Sequence, residues 1–282
     1  MSVNTIRSVL LHLDATPSSA LRLEFARDLA LRHEATLSAM FVAAPPQPSL
    51  QLVLSESPSA LLQPTDWAAL TRTKFMFENA LADGGPRMRW SESNGADAVE
   101  AFWRQALYAD LLVLGQHDPA AALPGSMPAG FVESVLIGTG KPALILPFAG
   151  KFETLGRDVL IGWNATPQAA HALTAALPWL YSARRVHVLE VTDEPARDQT
   201  GELDIAQYLQ CHGIVSALHC HRASPPPVPS NSGEFLLSFA SECGADLLVM
   251  GCYGHNRARE FMLGGASRSV LQTMSLPVLM AH

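Results

Sequence analysis

Arg7-Ser8-Val9-Leu10-Leu11-His12-Leu13-Asp14-Ala15-Thr16-Pro17 recurs in the second half of the chain as Arg157-Asp158-Val159-Leu160-Ile161-Gly162-Trp163-Asn164-Ala165-Thr166-Pro167. A second pair of segments, Ala109-Asp110-Leu111-Leu112-Val113-Leu114-Gly115 and Ala245-Asp246-Leu247-Leu248-Val249-Met250-Gly251, repeats in the same sense. Each is a short apolar run that ends in Asp, Asn or Gly at a turn. That is the pattern of a strand buried on both faces, which delivers its last residue to the edge of a sheet. The chain reads as a tandem repeat, with the divide near Gly150, giving a first domain over 1–150 and a second over 151–282.

Working outward, the first half reads as a strand over Val9–Leu13, a helix over Ser18–His33 and a strand over Thr36–Val42. A Pro- and Ser-rich loop, Pro45–Pro64, follows. Then come a helix over Thr65–Ala82, a strand over Met88–Ser91, a helix over Ala96–Tyr108, the strand Asp110–Leu114, a helix over Phe131–Ile137 and a strand over Ala143–Leu146. The second half repeats the order: a strand from Val159, a helix from Pro167, the strand Val186–Val191, a helix over Leu203–Gln210 and a strand over Ile214–His221. It closes with a helix over Phe235–Cys243, the strand Asp246–Met250, a helix over Ala266–Thr273 and the strand Val278–Met280. Alternating strands and helices require right-handed crossovers and a parallel sheet covered on both faces. Each half is therefore expected to be a five-stranded α/β sandwich, with ligands outside the carboxyl ends of its strands, where strand order reverses. Asp14, Gly115, Asn164 and Gly251 stand at such ends. The last strands, Ala143–Leu146 and Val278–Met280, are short and apolar and would be exposed edges in a lone domain. They are expected to bring the halves together as an intramolecular pseudo-dimer.

With 282 residues, 48% hydrophobic and 16% charged, the chain has the composition of a globular protein, and a formal net charge of −7 without a Lys/Arg run argues against a nucleic-acid partner. Val9–Leu13 is too short for a signal-peptide core or a membrane span, so a cytoplasmic protein without membrane contact is expected. Cys211, Cys220, Cys243 and Cys252 all fall in the second half without a close pairing motif and read as free thiols.

After Met250 the sequence runs Gly251-Cys252-Tyr253-Gly254, then His255 to Leu263, then Gly264-Gly265-Ala266-Ser267-Arg268-Ser269, a Gly-x2-Gly-x9-Gly spacing. Glycines allow the backbone close to a ligand, and a helix starting near Gly265 would aim free N–H groups at a phosphate. Repeat, strand order and loop together resemble the universal stress protein family, in its tandem two-domain form. The resemblance implies an adenine-nucleotide alpha hydrolase-like, Rossmann-like fold. It also implies a glycine loop that holds the phosphates of ATP or another adenine nucleotide, with Mg2+ as a companion, and an acidic residue after the first strand that meets the nucleoside. Carried over, Gly251, Gly254 and Gly264 match the phosphate loop of the second half, and Asn164 takes the place of the acidic residue. Ala165, Val191, Gly265 and Ser267 complete the set, with His255 and Arg257 as cations beside the phosphates. Asp14 and Gly115 are the matching positions of the first half.

The halves depart from the pattern in complementary ways. The first keeps Asp14, but its loop, Gly115-Gln116-His117-Asp118, has an acid in place of the second glycine, which would repel a phosphate. Pro119, Pro124 and Pro128 follow. The second keeps the glycines but has Asn164, which lacks the charge of a bidentate ribose contact. Nucleotide binding is therefore expected in the second half.

Other signals are weaker. Gly138-Thr139-Gly140-Lys141 leads into Pro142 and a strand and reads as a turn. No Gly-x-Gly-x-x-Gly follows either first strand, and no Gly-x-Ser-x-Gly occurs. Cys211-His212 and His219-Cys220-His221 are the densest metal-capable group, but their spacing matches no closed zinc motif, and no metal site is expected. Arg259 and Arg268 also flank the loop, and Trp163 inside a strand reads as core. The leading expectation is a stress-response regulator or switch that binds a nucleotide, with unknown protein partners and further homodimerisation open. The alternatives are a nucleotide-free interaction or scaffold protein and a slow ATPase. No catalytic residue stands out.

Overall fold

The computed structural model describes residues 6–43, 67–94, 98–120, 126–127, 130–150, 152, 154–191, 204–215, 218–224, 232–252 and 260–282. These residues form two compact units, Ile6–Lys141 and Pro142–His282. The expected loop Pro45–Pro64 and the stretch from Tyr253 to Arg259 lie outside the described residues.

In Ile6–Lys141 the elements are β1 (Ser8–Leu13), α1 (Ser18–Arg32), β2 (Thr36–Ala43), α2 (Trp67–Ala82), β3 (Met88–Asn94), α3 (Ala98–Ala106), β4 (Leu111–Gly115) and α4 (Phe131–Thr139). The strands lie in the order β3-β2-β1-β4, all parallel. Because β1 pairs with β2 on one side and β4 on the other, strand order reverses between β1 and β4. The ends of these strands, Asp14 and Gly115, flank that point. Leu11, Leu13, Leu112, Val113 and Leu114 are fully buried. At roughly 1.5–3 kcal/mol per buried aliphatic side chain, this central pair anchors the sheet and holds the edge residues in place.

Pro142–His282 contains β5 (Ala143–Leu146), β6 (Asp158–Trp163), α5 (Pro167–Leu180), β7 (Arg185–Val191), α6 (Ile205–Cys211), β8 (Leu218–Ala223), α7 (Ser232–Cys243), β9 (Leu247–Gly251), α8 (Glu260–Thr273) and β10 (Val278–Ala281). The strand order is β5-β10-β9-β6-β7-β8. The reversal lies between β6 and β9, at Asn164 and Gly251. Each repeat supplies five strands, as its pattern implies, but β5, the last strand of the first repeat, belongs to the unit built from the second. There it pairs antiparallel with β10, in the register Val278↔Ile145 and Met280↔Ala143. The apolar last strands of the two repeats thus cover each other's edge, as expected of them. Gly140, at φ +60°, caps α4 ahead of β5, so Gly138 and Thr139 end the helix and Gly140-Lys141 lead from it to the strand.

The repeated aspartates have a shared structural task. Asp110 Oδ2 accepts from the backbone N–H of Arg7 at 2.8 Å and of Ser8 at 2.9 Å, and Asp246 accepts from Arg157 and Asp158 in the same way. Each ties the start of its repeat's central strand to the strand beside it.

Several boundaries differ from those the sequence suggests, among them the end of β3, at Asn94 and not Ser91, and three in the second unit. β8 begins at Leu218, not Ile214, because α6 closes in a Schellman motif: Gly213 takes φ +75°, and Ile214 N–H donates to Leu209 O at 3.0 Å. α7 begins at Ser232, three residues before Phe235. Gly233 lets this first turn approach α8, since a Cβ there would stand 2.7 Å from Ala266 O. α8 begins at Glu260, well ahead of Ala266. Glu260, Phe261, Met262 and Leu263 include strong helix formers that carry the helix upstream, so Gly264 and Gly265 fall inside it.

Candidate functional site

At the end of β1 the Asp14 carboxylate is buried and engaged through Oδ1. It accepts from Arg22 Nη2 at 2.7 Å, from Ser19 Oγ at 2.8 Å, and from both the backbone N–H and the hydroxyl of Thr16. Arg22, reaching back from α1, is only 3% exposed. Its Nε donates to His12 O at 3.2 Å and its Nη1 to Ser18 Oγ at 2.9 Å. Burial alone would raise the Asp14 carboxyl, but Arg22, His12 and the hydroxyls of Thr16 and Ser19 outweigh it and hold the group below its ordinary value. The guanidinium also lies on Gly115, where a Cβ would come within 2.3 Å of Nη1. The two residues that mark a ligand edge in this half therefore enclose a cation of the protein itself.

Beneath that pair His12 is 2% exposed, with its ring 4.6 Å from Phe131 and 5.7 Å from Phe102. Its Nε2 has no partner. Burial pushes the imidazole down to about 4, with Asp14 opposing and Arg22 adding to the shift. Neither His12 nor Arg22 stands out in the sequence. An arginine in an amphipathic helix reads as solvated. The available signal is that Arg22 lies one helical turn beyond Ser18 and Ser19, on the face that returns to Asp14.

At the end of β6 the matching segment carries different chemistry on a different local backbone, since the helix here starts at Pro167 behind an extended Thr166, whereas α1 starts at Ser18 behind a helical Pro17. Asn164 is exposed, and its Oδ1 accepts from Thr166 Oγ1 at 2.8 Å. Thr166 in turn caps α5, accepting from Ala169 N–H at 3.3 Å, with Pro167 as the first helical residue. Between them Ala165 takes φ +53°, a left-handed conformation unfavourable for a residue with a Cβ. Gly251 faces α5 itself: a Cβ there would lie 2.4 Å from Ala169 N and 2.6 Å from Gln168 C. Its lack of a side chain is thus required by the close approach of the helix start. Val191, half-buried, ends β7 on the same side of the sheet, since β6 and β7 run parallel, with Trp163 paired to Glu190.

The structure therefore brings Asn164, Ala165, Val191 and Gly251 to one strand edge, while the phosphate side differs from expectation. Gly254, His255, Arg257 and Arg259 lie outside the described residues. Gly264 and Gly265 are helical, so their N–H groups are not the free ones of a helix start. Ser267 is 1% exposed in α8, which turns its hydroxyl inward, whereas Arg268 is exposed. The free backbone donors of α8 belong to its first turn, from Glu260.

Among the described residues no group of three or more His, Cys, Asp or Glu is arranged to hold a metal ion. Cys211, Cys220, Cys243 and Cys252 are free, and burial pushes the Cys252 thiol up to about 12, which makes it inert as a nucleophile at neutral pH. No described helix is long and apolar enough to cross a membrane.

Comparison with known proteins agrees with this architecture. The model of the universal stress protein family matches residues 228–282, which carry α7, β9, α8 and β10. The universal stress protein Slr1230 of Synechocystis is 23% identical over 182 residues, 60% of this chain, and the match spans 57% of that relative's length. Among solved structures, a universal stress protein from Archaeoglobus fulgidus covers 97% of this chain and 96% of its own at a TM-score of 0.66 and 17% identity. A candidate universal stress protein from Pseudomonas aeruginosa covers 97% and 92% at a TM-score of 0.60 and 15% identity. At such identities the two structures establish the fold.

Proposed function

We propose, from its likeness to universal stress proteins, that the chain is a cytoplasmic stress-response regulator that binds an adenine nucleotide, ATP by preference, at the β6/β9 edge of the unit Pro142–His282. The observation that carries this reading is the contrast between the two strand ends. Asp14 is enclosed and neutralised by Arg22, whereas Asn164 is exposed, with an oriented amide and no described cation beside it. Asn164, Ala165 and Val191 suit the nucleoside. Gly254, His255 and Arg257, with the first turn of α8, would take the phosphates and their Mg2+. The Asn164 carbonyl accepts from Thr166, which leaves its NH2 to donate to a ring nitrogen or a ribose oxygen. Nothing in the site requires turnover, so the nucleotide acts by selecting a conformation or a partner.

The test is twofold. Denatured protein is examined by ultraviolet absorbance and mass spectrometry for co-purified nucleotide, and ATP is titrated calorimetrically into wild type and Gly254→Asp. Binding in wild type that is lost in the variant, with the fold intact by circular dichroism, supports the site. Equal affinity in both moves the nucleotide elsewhere. No binding in wild type leaves a nucleotide-free interaction protein as the better reading.

A further inference from the structure

Away from that edge, three histidines gather on neighbouring strands. His187 of β7 lies in register with His219 of β8, and the two rings stack at 5.0 Å and 19°. His221, the next residue of β8 on the same face, stacks on His187 at 5.4 Å, and its Nε2 meets His187 Nδ1 at 3.1 Å. Phe239 of α7 closes over His221 edge-on at 5.0 Å. His187 is 8% exposed, and its Nε2 is buried with no partner.

We propose that this imidazole trio is an acid-sensitive clasp: neutral, it holds β8 on β7, and on taking up a proton it releases β8 from the sheet. The geometry supplies the reason. A hydrogen bond between two imidazole nitrogens needs one N–H and one lone pair, so only the neutral or singly charged pair can make it. A proton on His187 keeps that bond but leaves a charged Nε2–H buried without an acceptor, and a second proton on the pair sets two N–H groups face to face; each costs free energy.

The charged surroundings favour the same direction. On β7, Arg185 lies on the face of His187. On β6, Asp158 is occupied by Arg184 and Arg185, at 2.5 and 2.7 Å. From α7 come the Cys243 thiol and Glu242, which accepts from Ser238. Burial lowers the His187 imidazole, and His219, His221 and Arg185 lower it further against the weaker pull of Asp158. A folded-state value below the unfolded one means that stability is present above the ordinary histidine range and is lost as pH falls through it. β8 is the element able to respond. It ends the strand order, is half-exposed along its length, and shares with β7 one further side-chain tie on the opposite face, the solvent-exposed Arg222–Glu190 pair. Releasing it would uncover the β7 edge that leads to Val191.

Amide hydrogen exchange resolved by residue tests the clasp in the full chain, treated with chelator. Between about pH 7.5 and about pH 5.5, after correction for intrinsic rates, the amides of Leu218–Ala223 should exchange about tenfold faster relative to those of β6. In His187→Phe, which keeps a stacked ring without the titration, the ratio should stay constant. If that variant misfolds, His221→Gln serves in its place. A flat ratio in wild type, or a pH response that survives in the folded variant, overturns the proposal. So does protection of β8 by added zinc chloride that His221→Gln abolishes, since the pair would then be a metal site.

Discussion

The two strand ends occupy the same place in their repeats, and four of their differences surround the Asp14–Arg22 pair. Asp14, Ser18, Ser19 and Arg22 of the first repeat stand where the second has Asn164, Gln168, Ala169 and Ala172. In the first, the charge pair and its hydroxyl partners fill the space above Gly115. In the second, Ala169 and Ala172 are buried and small, and the start of α5 settles directly on Gly251. The carboxylate and the guanidinium are thus present together or absent together. Physical chemistry requires this coupling, because a buried charge that loses its partner costs far more than the pair contributes.

The largest expected effect comes from breaking that pair on one side only. Arg22→Ala should lower stability to urea by about 3–5 kcal/mol, the usual cost of an orphaned buried charge. The double variant Asp14→Asn/Arg22→Ala, which copies the second edge, should lose clearly less than Arg22→Ala alone. Equal losses would mean that the guanidinium matters through packing and not through Asp14.

A pH titration should separate the repeats next. His12 corresponds to Gly162, so only the first edge carries a buried imidazole. Its folded-state value of about 4, against about 6.5 unfolded, means that the unfolded chain binds the proton first as acid is added. Stability is then complete above about pH 6.5 and falls by about 3 kcal/mol on the way down to pH 4. His12→Gln should flatten this part of the stability profile, and an unchanged slope would assign the acid sensitivity to other groups.

The matched glycines provide a finer comparison. Gly251→Ala sets a methyl against backbone at 2.4 Å and should cost about 1–3 kcal/mol by displacing α5. Gly115→Ala instead meets the Arg22 guanidinium and should act by turning it away from Asp14. Its effect should therefore overlap with that of Arg22→Ala, and the two together should cost less than their sum. Full additivity would show that Gly115 serves the strand and not the ion pair.

The sequence made the strands legible because fully buried parallel strands are written as unbroken apolar runs, as in Leu111–Leu114 and Leu247–Met250. It also marked Asp14, Asn164, Gly115 and Gly251 as edge residues, since strand ends and turn residues coincide there. It did not show that β5 joins the second unit, because an apolar strand carries no label for the sheet that accepts it. Arg22 was hidden because an arginine in an amphipathic helix reads as solvated and its burial depends on how α1 folds back onto Asp14 at the end of β1, and His187 because its neighbours His219 and His221 are close only across the β7–β8 pairing. Helical propensity from Glu260 to Leu263 prevailed over the breaks suggested by Gly264 and Gly265, which moved the start of α8 away from the expected position.

The smallest effect addresses the site itself. Asn164→Asp restores an acid at the second edge, with Ala172 in place of an arginine, so the new carboxylate stays free for a ligand. Thr166 can still donate to one of its oxygens. If a ribose hydroxyl donates to this position, a charged acceptor should tighten ATP binding by about 1 kcal/mol, roughly fivefold in Kd. If the Asn164 NH2 group instead donates to a base nitrogen or a ribose oxygen, the substitution removes the donor and binding should weaken by a similar factor. Calorimetry on the two proteins distinguishes these contacts. It also extends the comparison between the repeats, because a tighter complex would make Arg22 the reason that the natural acid at Asp14 is unavailable, whereas a weaker one would make asparagine the residue that this edge requires.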